Sequence, residues 1–208
     1  MLRKNYLLVF FCLFIGTQLM SQVGIGVTVS HDLYNRYVNP KDGLESASNG
    51  SAILNLGLGP KIWFGGESFS FSAESQINWG ILGLSIADYK GLGSLSFPFI
   101  GKFNFNGLSG LNKEGRFGFS IGGGIQYNRT ELYYVTSDFK EKGGERSYFK
   151  TYIVQAGYGF GISGFAAQGF IRYGFNPDID GASNIHVGIQ YDFNIPQLKK
   201  ISDKASEL

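Results

Sequence analysis

Few residues of this chain have the types and spacing for chemistry. Ser30, His31 and Asp32 follow one another and bring together a hydroxyl, an imidazole and a carboxylate, the groups of acyl-transfer catalysis. Neighbours on an extended strand point to opposite faces, so these three cannot converge on one substrate atom without partners from elsewhere. His186 has Gly188 two positions on, so no serine shares its face at that spacing. Cys12 is the single cysteine and lies in the hydrophobic run 6–19, which leaves no disulfide framework and no thiolate chemistry after that run. With no cysteine pair and no clustered histidines there is no metal-ligand spacing. Gly122, Gly123 and Gly124 fall inside a strand pattern and open no helix, so they cradle no phosphate. Asn128, Arg129 and Thr130 match a glycosylation sequon, a chance match in a strand. No catalytic, cofactor-binding or metal site emerges.

Charged and amide side chains form the more coherent set. Glu74, Lys102, Gln126, Gln155, Arg172, His186, Gln190 and Asp192 each occupy the polar phase of an alternating segment. In 184–193 the clearest alternation places Ile185, Val187, Ile189, Tyr191 and Phe193 against His186, Gly188, Gln190 and Asp192. Seven more segments read the same way: 22–30, 51–64, 67–79, 93–105, one opening at Arg116, one closing near Ser163, and 165–175. Pro60 and Pro98 lack the donor a ladder needs and predict irregularities. Gly65 with Gly66, and Ser163 with Gly164, are tight-turn signals. The connections 31–50, 80–92 and 176–183 are longer and polar. Eight antiparallel strands, with short turns at one end and long loops at the other, are the pattern of an up-and-down transmembrane β-barrel.

Composition agrees. Charged residues are 16% of the 208, against about 25% in soluble domains. Aromatic residues also make 16%, and there are 31 glycines. Arg3 and Lys4 precede the apolar run, and Ser21 and Gln22 follow it, which reads as a secretory signal peptide over 1–21. The run is 14 residues, short of the roughly 20 that cross a bilayer as a helix. Removal of that segment takes the formal charge from +2 to 0, leaving no basic excess for nucleic acid. The barrel is assigned to 22–193 and a polar tail to 194–208.

Alternation alone also fits a soluble barrel with a greasy interior. The polar rows are Gly, Ser, Asn and Gln with few charges, which suits a narrow bore better than a wet exterior. Aromatics such as Phe64, Trp79, Phe105, Phe117, Tyr127 and Tyr173 gather near strand ends, as interfacial girdles do. With the apolar rows on lipid, Glu74, Lys102, Gln126, Arg172, His186 and Asp192 face the bore, and buried charges there must pair. An eight-stranded bore holds little beyond its own side chains, so a polar plug is expected rather than an aqueous channel. Between Arg129 and Lys150 the β pattern continues through Tyr133, Tyr134 and Val135, passes Phe139 and a turn at 142–145, and returns through Tyr148 and Phe149. That reads as a projecting hairpin able to bind a partner.

The closing segment resembles the last strand of bacterial outer-membrane barrels, with His186, Gly188, Tyr191 and Phe193 in the slots of that family's signal. Fifteen residues follow Phe193, where many members end at the aromatic. In strand count and loop asymmetry the chain is similar to the small OmpA/OmpX-type barrels. The resemblance implies a bacterial outer-membrane location with periplasmic termini, and it implies that the barrel-insertion machinery reads those four residues. It leaves function open. The leading expectation is a non-enzymatic barrel, without cofactor, that presents loops to outer-membrane or extracellular proteins or serves as an accessory subunit. A narrow pore or hydrophobic-solute conduit is the second reading. Some barrels of this kind modify lipids through a rim histidine, serine and acid, and such an enzyme is the third.

Overall fold

The computed structural model describes residues 22–39, 46–49, 55–85, 91–110, 114–134 and 148–195. The signal-peptide assignment, the tail beyond 195, Val135, Phe139 and the 142–145 turn lie outside them. Among the described residues there are ten strand segments: β1 (Gln22–Asn39), β2 (Ser46–Asn49), β3 (Asn55–Gly65), β4 (Phe69–Ser75), β5 (Ile77–Ser85), β6 (Gly91–Asn106), β7 (Arg116–Tyr134), β8 (Phe149–Ile162), β9 (Phe165–Phe175) and β10 (Ser183–Asn194). β2 and β3 both pair with β1, and β4 and β5 both pair with β3 and β6, so each couple is one stave. The result is a closed, antiparallel barrel of eight staves, sealed where β1 meets β10.

The first strand is longer than its alternation suggests. Residues 31–39 continue β1, where the sequence pattern predicts a loop. The cause is a bulge between Asp32 and Tyr34, which leaves Leu33 and Tyr34 both exposed and shifts the register against β10. One extra residue reverses the parity of everything after it. Asn35 and Tyr37 therefore enter the bore, and the hydrophobic alternation that marks 22–30 is lost to the eye. β5 and β6 likewise extend to Ser85 and back to Gly91, which shortens the predicted 80–92 loop.

The prolines act on their neighbour. β3 and β6 run through Pro60 and Pro98 without interruption, and the break falls at Gln76 between β4 and β5. Gln76 N donates to Pro98 O at 3.1 Å, and Pro98 has no N–H to return the bond. On the other side Lys61 pairs with Glu74 and Leu58 with Ile77, so Pro60 stands beside Ser75. One stave thus runs between two residues that cannot donate, and its ladder opens at that level.

The Ser163 and Gly164 turn forms as predicted, with φ of 48° and 91°, the left-handed pair a two-residue hairpin requires. The other tight turn takes one residue more: Gly66 N donates to Phe69 O at 2.8 Å, so the loop is 66–68. Both turns, residues 107–110 after β6, the start of β1 and the end of β10 share one end of the barrel, the turn end.

Polarity is inside out. Val23, Tyr158, Phe117 and Ile171 are 72%, 63%, 64% and 59% exposed on the outer wall. Lys102, Arg172, Gln126 and His186 are wholly buried in the bore. Water would penalise such a wall and reward the reverse arrangement. Around the turn end the outward rings touch in sequence, Phe64 with Phe71 at 5.3 Å, Phe71 with Phe103 at 5.3 Å, Phe105 with Phe119 at 4.4 Å and Phe117 with Tyr158 at 5.7 Å. This is the girdle of a barrel whose apolar band meets hydrocarbon.

Candidate functional site

Among the described residues the bore is where reactive side chains gather, contributed through the polar phase of the strands. Among the described residues the buried ionic groups are Lys61, Lys102 and Arg172 against Asp32, Glu74 and Asp192, so positive and negative charges balance. Lys102 Nζ lies 2.5 Å from Glu74 Oε1, and Lys61 Nζ lies 2.8 Å from Asp192 Oδ2. Gln190 ties these two ion pairs together, its Nε2 donating to Glu74 Oε2 at 3.0 Å and Asp192 Oδ1 at 2.8 Å.

The network then climbs. Gln155 Nε2 donates to Gln190 Oε1 at 3.3 Å, and Arg172 Nε donates to Gln155 Oε1 at 2.8 Å. Arg172 Nη1 donates to Gln126 Oε1 at 3.2 Å, and Gln126 Nε2 meets His186 Nε2 at 2.9 Å. His186 Nδ1 reaches Asp32 Oδ2 at 2.6 Å near the loop end. With Nδ1 donating to that carboxylate, Nε2 accepts from the amide of Gln126 or of Asn184, which stands 3.2 Å away. Tyr37 sets the ring from the side, edge-on at a centroid distance of 5.1 Å. One connected chain of polar side chains therefore runs most of the height of the barrel.

Apolar bulk fills the gaps. Trp63, Ile100, Ile153 and Phe170 are buried in the same bore. Gly24 makes room for Trp63: a Cβ there would stand 2.2 Å from the indole ring. The smallness of the polar rows is thus the counterpart of large side chains arriving from other staves.

The eight residues predicted to face the bore, Glu74, Lys102, Gln126, Gln155, Arg172, His186, Gln190 and Asp192, are placed in it and joined by the contacts above. Asp32 and Lys61 were not among them. Lys61 sits in the polar phase of β3, a signal that was readable; Asp32 was hidden because the bulge made 31–50 look like loop. Of the closing-strand residues, His186 and Gly188 face inward while Tyr191 and Phe193 face out, the first stacked on Phe165 at 6.3 Å and the second tilted against it at 5.4 Å. The hairpin set divides. Tyr133 and Tyr134 pair with Leu92 and Gly91 of β6, and Tyr148 is 46% exposed with Arg129 over its ring at 5.6 Å. Phe149 is a correction: it is 3% exposed and points into the bore, so it presents nothing to a partner.

The acyl-transfer set does not assemble. Ser30 Oγ donates to Gln76 Oε1 at 3.0 Å, His31 stands on the other face of β1, and Asp32 is engaged by His186. His186 Nε2 faces amides rather than a hydroxyl, and the ring is fully buried. Among the described residues no group of three or more His, Cys, Asp or Glu is placed to hold a metal ion.

Fold and bore together define a small eight-stranded β-barrel of the outer-membrane type. No protein-family model matches the chain, and no curated protein matches it. Similar solved structures include Neisserial surface protein A (7% identity, TM-score 0.46, covering 84% of this chain and 99% of that one). The N-terminal β-barrel domain of Pseudomonas aeruginosa OprF is another (10% identity, TM-score 0.43, 83% and 100%). Outer membrane protein OprG from Pseudomonas aeruginosa is a third (12% identity, TM-score 0.37, 83% and 95%).

Proposed function

We propose that this protein is a non-enzymatic barrel of a bacterial outer membrane, turn end toward the periplasm, that presents its loop end to a protein partner or to a larger outer-membrane complex. The observation that carries this reading is the filled bore. Balanced charges, amide links and buried rings occupy the space a solute would need, and the His186–Asp32 couple meets amides rather than a hydroxyl and is fully buried. What remains available is the outer wall and the loop end. There, among the described residues, β6 and β7 are paired up to Gly91 and Tyr134, and Tyr148 stands 46% exposed beside Arg129. Strands and exposed aromatic rings at the loop end suit pairing with another chain.

Purification in mild detergent tests this. A single stable partner is expected, and replacing Tyr133, Tyr134 and Tyr148 together with serine is expected to release it. A partner-free monomer from native membranes, combined with large and stable single-channel conductance, would favour the pore instead.

A further inference from the structure

The outer wall carries cations of its own at the loop end. β8 begins there with Phe149 and Thr151 buried in the bore, so Tyr148, Lys150 and Tyr152 fall on the outer face. On β7 the same face holds Tyr127 and Arg129, because Gln126 and Asn128 take the inside. Tyr127 is the cross-strand partner of Lys150. Arg129 stands two residues nearer the loops, over the Tyr148 ring at 5.6 Å. Two cations therefore lie on one diagonal of a four-residue patch and two tyrosines on the other. Diagonal neighbours on one face of a sheet are within mutual reach of long side chains.

The patch is fixed from both sides. Asn128 Nδ2 donates to Thr151 Oγ1 at 3.0 Å within the bore, and Asn176 Nδ2, after β9, donates to Lys150 O at 2.8 Å. Lys150 Nζ donates to the Tyr152 hydroxyl at 3.0 Å and lies 4.5 Å from the centre of that ring. Tyr152 leans on Phe175 at 6.4 Å, and Phe175 stacks on Tyr173 at 6.4 Å. Farther toward the turn end, the same outer faces show Val154 of β8 and Ile121 of β7, both exposed. Cation, aromatic ring and aliphatic wall thus succeed one another down the strands. That is the order of phosphate, interface and acyl chain within one leaflet.

The two ends of the wall treat their cations differently. At the turn end the exposed Arg116 has a carboxylate beside it in Glu114. At the loop end Arg129 and Lys150 meet tyrosine rings, which hold a cation without cancelling its charge. Among the described carboxylates Asp178 bears on Lys150, less strongly than Tyr152 does. An ammonium carries three donors, of which the Tyr152 hydroxyl takes one. We propose that Arg129 and Lys150, set among Tyr127, Tyr148 and Tyr152, form a site for the headgroup phosphate of an anionic membrane lipid. Both cations donate charge-assisted bonds to its oxygens, and its acyl chain lies down the wall beside Val154. The site requires the apolar wall to meet lipid and is independent of any protein at the loop end.

Native mass spectrometry of the full chain in mild detergent, titrated with dioleoyl phosphatidic acid or dioleoyl phosphatidylcholine, tests the site. The anionic lipid is expected to bind about tenfold more tightly than the zwitterionic one, as two basic residues near a membrane surface allow. Arg129→Gln combined with Lys150→Gln should abolish that preference, and Arg129→Lys combined with Lys150→Arg should keep most of it. Arg36→Gln removes an exposed cation from the outer face of β1, away from the patch, and should leave the preference unchanged. All variants are compared as chains that keep the folded gel mobility of an intact barrel, and the comparison of the two lipids on the parent needs no variant. Equal binding of both lipids by the parent would mean that the chain neutralises its own cations. A preference that survives the double glutamine change, or falls as far in Arg36→Gln, would reduce it to bulk charge. Displacement of the lipid by inorganic phosphate would assign the cations to a soluble anion. Each of these results overturns the proposal.

Discussion

The ionic residues of the bore each carry a cost that only a partner offsets. Lys102 and Glu74 are 0% and 1% exposed at their side chains, so removing one leaves a charge with no water to solvate it. Glu74→Gln alone is expected to destabilise the barrel by roughly 3–5 kcal/mol. Glu74→Gln combined with Lys102→Gln should recover most of that loss, since the second change removes the stranded charge. Urea unfolding in liposomes, followed by tryptophan fluorescence, measures both. Equal and additive losses would show that the pair is not coupled. Gly24 makes the complementary point about volume. Gly24→Ala puts a methyl group into the Trp63 ring and is expected to cost about 1–3 kcal/mol. Trp63→Leu in the same chain should restore part of it.

Strands were legible from the sequence to the extent that their alternation ran unbroken. The closing strand predicted at 184–193 is observed as Ser183–Asn194, because nothing disturbs its parity. β1 was read only to residue 30, because the bulge after Asp32 exchanges inside and outside and leaves no simple period. That one irregularity also concealed Asp32, Asn35 and Tyr37 as bore residues. Pro60 and Pro98 were legible as a disturbance but not as to place, since a missing donor is felt by the strand that would have accepted from it. The candidate site was half visible: polar phase told which side chains face inward, while their pairing depended on shear between staves that no single strand records. Restoring a donor tests the proline account. Pro98→Thr supplies the N–H facing Gln76 O and should stabilise by about 1 kcal/mol, within the usual worth of one hydrogen bond. Protection of that amide against hydrogen exchange would confirm the new bond, and an unprotected amide would contradict it. The bulge gives a harsher test at this scale: deleting Leu33 removes the extra residue, leaves Tyr34 against Val187 and Asn35 and Tyr37 in the bore, and is expected to keep the heat-modifiable folded band on gels, whereas inserting one residue after Tyr34 turns Asn35 and Tyr37 outward and is expected to abolish it.

The molecule as a whole is decided by which face meets hydrocarbon. Its outer wall is apolar and 54% exposed at Val154, midway along β8, while Ile153 beside it is buried in the bore. A charge placed on that wall distinguishes solvents sharply. In water Val154→Arg would be an exposed surface change, within about 0.5 kcal/mol of neutral. Near the bilayer midplane an arginine on the lipid face costs about 2–4 kcal/mol and costs less toward either interface. Val154→Arg is therefore expected to destabilise the reconstituted barrel by that larger amount, and Phe160→Arg, close to the turn end of the same strand, by about 0–1 kcal/mol. Spin labels at Phe71 and Val187 give the same information without a charge: relaxation by oxygen should exceed relaxation by a water-soluble nickel chelate at both. A depth-independent arginine penalty, together with chelate-accessible labels, would place water on the outer wall and leave the polar bore without its physical reason.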